Sequence, residues 1–156
     1  MNYIPDESYK ALMEFGPICA IDIIFFNKEK TKTLLGKRVN KPYKNIFYSF
    51  GGRLRKNELL EDAAIRIAKN ETGIRLNESD LIFAGVDNEI SDGSIFEKIN
   101  YHAVVIYFGC VISSSTKIHL DAQHSTHKWI NVNDANIHPS IQPRIASALK
   151  TVSISL

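Results

Sequence analysis

The sequence has few cysteines, no long apolar run, no linker and, over one long stretch, almost no acidic residues. Its two cysteines, Cys19 and Cys110, each lie inside β-branched, apolar segments. A free cysteine in that setting behaves as a small buried hydrophobe, so neither is read as a metal ligand or a nucleophile. No apolar run is long enough to span a bilayer, and residues 1–7 carry neither a basic nor an apolar leader pattern. A soluble, cytoplasmic protein is therefore expected, with no membrane as partner. Repeats and low-complexity tracts are absent too. The 156 residues, 44% of them hydrophobic, are expected to form one domain, 1–156, with a substantial core.

Between Lys28 and Lys56 ten lysines and arginines face a single acid, Glu29. Such a field draws a phosphate-rich partner. By charge alone, a solvated basic face or a nucleic-acid surface explains it equally well.

Hydrophobic periodicity sets the order of elements. Asp6–Phe15 reads as a short helix behind Pro5, with Asp6 and Glu7 at its positive end and Tyr9, Leu12 and Met13 on one face. Ile18–Phe26 is a β-branched and aromatic strand interrupted by Asp22. A carboxylate there needs a partner, and two readings stand: an edge-facing or salt-bridged structural residue, and a carboxylate at a sugar or metal site. Further strands are expected at 33–38, 46–50, 81–86 and 100–111, with 117–120 as a shorter one. Residues 87–99 and 121–127 read as polar loops, and 127–130 as the last strand. A helix over about 58–72 carries Leu60, Ala63, Ala64, Ile67 and Ala68 on one face, and 141–151, opened by Pro139, has the spacing of a helix that covers the sheet. Strands with helices segregated around them make an α+β fold.

The most informative stretch runs from Gly51-Gly52-Arg53 to Glu71-Thr72-Gly73-Ile74. Glu58 follows Gly52 by six residues, Arg66 follows Glu58 by eight, and Glu71 follows Arg66 by five. Paired glycines after a strand permit positive φ and close approach, so a backbone carbonyl there can reach an ion. Glu71 prolongs the core face of the helix at its C-terminal end, where the helix dipole disfavours a carboxylate. A compensating cation is implied: Arg66, Arg53 or a metal. This run, 52–74, resembles the Nudix box, the signature of hydrolases acting on a nucleoside diphosphate linked to another group. Two of the three box carboxylates are replaced here, by Ile67 and Asn70, and Glu71 remains. One carboxylate and one carbonyl suit a single Mg²⁺ that keeps waters and substrate phosphates.

A narrower resemblance, over nearly the full length, is to the GDP-mannose mannosyl hydrolases, a Nudix subfamily that lacks the same two glutamates and cuts the sugar-carbon to oxygen bond. It is carried by Asp22, Leu35-Gly36-Lys37-Arg38, Asn40, Pro42, Phe50 to Arg53, Glu58, Arg66, Glu71 to Gly73, the strand around His102, Asp121-Ala122-Gln123-His124, Trp129 and His138. The resemblance implies a Nudix α/β/α sandwich with a mixed sheet, a homodimer, and Mg²⁺, with Mn²⁺ as the alternate ion, held by Gly52, Glu71 and Gln123. It implies His124 as general base and Arg38 and Asp22 as further catalytic groups. Arg53, Arg66, Lys37 and Tyr101 would meet the substrate, a GDP-hexose and not a nucleic acid.

Imidazole titrates near ~6.5, which suits removal of a proton from water, and attack opposite a departing diphosphate inverts the anomeric centre. Without the family, His124 reads as an exposed loop histidine and Arg66 as pairing with Asp62 one turn away. Three departures from the subfamily bear on leaving-group assistance and specificity. Phe50 stands where it has proline, Ala103 where it has tyrosine, and Asp87-Asn88-Glu89 where it has an aromatic-histidine pair. Two other readings stay open: phosphoanhydride cleavage, and a binding module without turnover.

Overall fold

The structure, a computed structural model, describes residues 4–155, so positions 1–3 and 156 of the expected domain lie outside it. Its sheet is built on β1 (Ile18–Phe26), in which every residue but the half-buried Cys19 is buried. A strand covered on both faces has to be apolar almost throughout, and that is how this one reads. Along one edge β6 (Tyr101–Val111) runs parallel to it, from Ile18 opposite Ala103 to Phe26 opposite Val111. The other edge is divided. β4 (Phe50–Arg53) pairs antiparallel with residues 20–23, and β2 (Lys32–Arg38) takes over at Phe25 and Phe26. β2 in turn holds β3 (Phe47–Tyr48) and β7 (His124–Asn131), while β5 (Ile82–Ser91) closes the far side against β6.

Helices cover both faces of this mixed, seven-stranded sheet. α2 (Leu60–Thr72) lays Ala63, Ala64, Ile67 and Ala68 on Ile21, Ile23 and Phe25. The opposite face carries two separate clusters. Ile24 and Phe26 pack with Ile141, Ile145, Ala148 and Val152 of α3 (Gln142–Ile154) and its approach. Ile18 and Ala20 pack with Met13 of α1 (Asp6–Phe15). Asp22 shares that face, between the two clusters. No helix among the described residues is long and apolar enough to cross a membrane.

Several boundaries differ from the sequence reading, each for a physical reason. The strand expected at 46–50 is broken at Ser49, whose hydroxyl donates to Asp22 Oδ2 at 2.7 Å. β5 continues through Asp87 to Ser91, which read as loop, because Val86, Asn88 and Ile90 point to solvent while Glu89 points inward. β7 begins at His124 and not at residue 127, and the turn before it is tied at both ends, by Asp121 N–H to the Glu71 carbonyl and Val39 N–H to the Gln123 carbonyl. Residues 117–120 form no strand; they run past the end of α2, with His119 N–H bonded to the Thr72 carbonyl at 2.8 Å. In α1 only Met13 is buried and Leu12 is exposed.

Two glycines are required by this arrangement. Gly73 caps α2 at φ 74°, in the left-handed region. Gly51 keeps an ordinary φ but leaves no room for a side chain: a Cβ there would collide with Asp22 Oδ1. Gly51→Ala is therefore expected to lower stability by about 2 kcal/mol, read as the urea midpoint, because β4 can no longer lie against β1 at Asp22.

Candidate active site

β4 acts as a thin partition. On its α2 side lies a groove of about 280 Å³ lined by Arg66, Ile67, Asn70, Glu71, Asp121 and Gln123; on its α1/α3 side lies a cavity of about 310 Å³. Gly51, Gly52, Arg53 and Gln123 line both.

The box loop is closed by one ion pair. Arg66 donates through Nε to Glu58 Oε1 at 2.6 Å and through Nη2 to Glu58 Oε2 at 2.9 Å and the Arg53 carbonyl at 3.1 Å. Glu58 Oε2 also accepts from Arg55 N–H, and the Arg66 hydrogen bonds hold its carboxyl below the usual range. The partner of Arg66 is thus Glu58 across the loop and not Asp62, and its guanidinium is taken up in holding Arg53 in place. Arg53 itself lies over the Tyr9 ring at 5.6 Å and lines both spaces.

In the groove, Glu71 is buried and accepts one hydrogen bond, from Gly51 N–H to Oε2 at 3.0 Å. Burial, then the nearby Asp121 carboxylate, push its carboxyl up to about 8. A buried acid in that state lacks a neutralising cation. The described residues hold no cluster of three His, Cys, Asp or Glu. The donors present are the carboxylates of Glu71 and Asp121, the amides of Gln123 and Asn70, and the Gly51-Gly52 backbone. That oxygen-rich set with one or two carboxylates fits a single hard divalent cation.

The cavity has two poles. Arg38, Lys41 and Arg53 stand on its walls, with Arg38 steadied by Nε donating to the Pro42 carbonyl at 2.8 Å. Asp22, Ser49, Tyr48 and Glu89 line it as well, and behind them Arg144 is buried to 1% exposure. Arg144 Nη1 lies 2.7 Å from Glu89 Oε2 and 3.4 Å from Asp22 Oδ2, and its Nε donates to Asp87 Oδ2 at 3.3 Å. Tyr48 OH donates to the same Glu89 oxygen at 2.9 Å. Burial pushes the Asp22 carboxyl up to about 6 in spite of Arg144. Of the two readings the sequence left open, the structure shows the salt-bridged one, and it also places Asp22 on a cavity wall.

Two expected site residues are placed elsewhere. Lys37 lines neither space; Lys41 takes the position beside Arg38. His124 is no loop residue, exposed or otherwise. Its ring packs on Phe50 at 4.9 Å and against Gly36, and the side chain is 1% exposed. Nδ1 bonds to Asp121 Oδ1 at 2.9 Å, Nε2 has no partner among the described residues, and burial lowers the imidazole's affinity for a proton. Asp121 also takes Gln123 Nε2–H on Oδ2 at 3.1 Å, which turns the amide oxygen of Gln123 away from it. Tyr101 lines the cavity, on the same face of β6 as the buried Ala103.

Sequence reasoning missed Arg144, Glu89, Tyr48 and the part played by Asp121. Arg144 offered one signal, a lone charge in the first turn of the last helix, next to the buried Ile145.

Residues 17–151 match the family model described as the NUDIX domain. The low-salt glycan biosynthesis protein Agl8 of Haloferax volcanii is 29% identical over 141 residues, covering 89% of this chain and 86% of that one. The NUDIX domain of Shewanella oneidensis NrtR, solved with ADP ribose, has a TM-score of 0.65 at 19% identity, over 95% of this chain and 94% of that one. A MutT/nudix family protein from Enterococcus faecalis gives 0.61 at 19%, over 83% of this chain; this chain spans 57% of that protein's length. At such identities the structural likenesses show the fold. The family model, which covers most of the chain, shows more: the chain is a member of the Nudix hydrolase family, which acts on nucleotide-linked substrates and usually employs divalent ions such as Mg²⁺.

Proposed function

We propose that this chain hydrolyses a GDP-hexose, GDP-mannose or GDP-glucose, to GDP and free sugar by attack of water on the anomeric carbon with inversion. The observation that carries the proposal is the helix side of the groove, where Ile67 and Asn70 stand beside Glu71, the one carboxylate α2 presents there. Such a helix can help to hold a cation but offers no second carboxylate to activate water against phosphorus. The name of the Haloferax relative, a glycan biosynthesis protein, agrees with a sugar nucleotide as substrate; a role in polysaccharide precursor metabolism and a place in the cytoplasm belong to the same proposal. A homodimer belongs to the same reading, with the exposed Leu12 and Phe15 of α1 as apolar surface available to it.

In this reading Mg²⁺, or Mn²⁺, held by Glu71, Gln123 and the Gly52 carbonyl, supplies charge neutralisation to the departing diphosphate. Arg38, Lys41 and Arg53 bind that diphosphate from the cavity side, and Arg66 keeps the Arg53 backbone in register. His124 is the general base. With the Nδ1 proton held by Asp121, the Nε2 lone pair is left to accept a proton from water. Because Gly36 and Phe50 cover the ring, the turn at 121–124 must open for that transfer. Asp22 is the rival base, favoured by its place on the cavity wall and by a carboxyl that burial pushes up to about 6.

Hydrolysis of GDP-mannose in ¹⁸O-labelled water tests the reaction: label is expected in mannose and none in GDP. Label in GMP or mannose phosphate would replace it with phosphorus chemistry. His124→Ala is expected to lose about 10²-fold or more in kcat with GDP affinity retained; if Asp22→Asn shows that pattern and His124→Ala does not, Asp22 is the base.

The raised Glu71 carboxyl gives a pH signature. Its ordinary value is 4.5 and its folded value about 8, so between these the folded protein keeps a proton that the unfolded chain has lost. Stability of the metal-free protein should therefore fall as pH rises through that window, by on the order of 5 kcal/mol, and level off above it. Glu71→Gln should flatten the fall in thermal melts. It should also abolish the rise in Tm that Mg²⁺ gives the parent protein at pH 8.

A further inference from the structure

The cavity's charge is arranged as two poles, and the anionic one has a free acceptor. Glu89 is 7% exposed, yet it lines the cavity. Its Oε2 meets Tyr48 OH at 2.9 Å and Arg144 Nη1 at 2.7 Å, and Oε1 is the oxygen that these two contacts leave over. Asp22 is arranged alike: Oδ2 faces Ser49 and Arg144, and Oδ1 sits beside Gly51, at the junction with the groove. Two of the three carboxylates that share Arg144 thus line a space whose walls also carry Arg38, Lys41 and Arg53. Burying such a group costs more than an apolar floor would, and β5 spends its inward positions on it while Val86 and Ile90 face solvent.

We propose that Glu89 is the residue that reads the group attached to the nucleoside diphosphate, its Oε1 accepting from hydroxyls of a neutral sugar, and that the Asp22–Glu89 floor excludes a phosphate from the same position. The inference rests on the reading of the substrate as a sugar nucleotide. A hydroxyl donates to a carboxylate, whereas a further phosphate brings acceptor oxygens and negative charge to a floor already in excess of carboxylate. The cationic mouth fixes the diphosphate, which every nucleotide of this class shares. Selection between a nucleoside diphosphate sugar and a nucleoside triphosphate then falls to the floor.

The test is binding, which is separable from turnover. Affinities for GDP, for GTP and for a GDP-mannose analogue with methylene in place of the glycosidic oxygen are measured by calorimetry with Mg²⁺, for the parent protein and Glu89→Gln. The parent is expected to hold the analogue more tightly than GDP, and GTP more weakly. Glu89→Gln should weaken the analogue by about 10-fold, leave GDP within about 2-fold, and strengthen GTP by several-fold. Unchanged ratios among the three ligands in Glu89→Gln would overturn the assignment. If that variant does not fold, Glu89→Asp decides: it keeps the charge and withdraws the acceptor, so the analogue should weaken while GTP stays excluded. Full analogue affinity there would equally overturn it. Should the ¹⁸O experiment fail while these ratios shift as expected, the reaction is wrong and the sugar floor stands; normal hydrolysis with unshifted ratios removes the floor alone.

Discussion

Everything at this site depends on how one carboxylate, Asp22, is held in the middle of an otherwise apolar strand. Left alone it would be too costly to bury. Ser49 and Arg144 meet it from two directions, one from the break between β3 and β4 and the other from the first turn of α3. Each answer shapes the fold around it. The strand expected at 46–50 breaks so that Ser49 can reach in, Gly51 gives up a side chain so that β4 can pass, and the apolar clusters under α1 and α3 stay apart.

In the proposed reading the two spaces on either side of β4 divide the labour of a nucleotide site. The groove gathers oxygen donors around the buried Glu71, and the cavity offers cationic walls beside a pair of carboxylates. Gly51 to Arg53 and Gln123 belong to both, so the two spaces have three residues of β4 and one glutamine in common. Asp121 adds a further link, since its two oxygens hold His124 and Gln123 at once. In the proposed reaction the base and the metal ligand are therefore oriented by a single side chain.

How much of this the sequence could show follows from where its usual rules hold. β1, α1 and the apolar stripe of α2 obey them, and their bounds are legible almost to the residue. The box spacing is legible as well, from the Gly51-Gly52 pair to the left-handed cap at Gly73. β5 breaks the rule that apolar residues point inward: Val86 and Ile90 face out because the inward side is the cavity floor. Its second half consequently looks like a polar loop, and Glu89 vanishes into it. Arg144 is hidden for another reason, since it works through contacts with Asp22, Asp87 and Glu89 that lie far from it in the chain. His124 looks like a loop histidine because nothing local announces that Gly36 leaves a slot for its ring.

The late position of Arg144 has a consequence for the chain as it is made. The box, its Glu58–Arg66 clasp and the glycine strand are complete in sequence long before α3 emerges, and a nascent chain could already assemble the cation groove. Asp22 and Glu89 would then confront each other with no arginine between them, and the floor could not close. Docking of α3 sets the one guanidinium between them. The closed floor is thus a property of the finished chain, since its one guanidinium comes from the last helix of the fold.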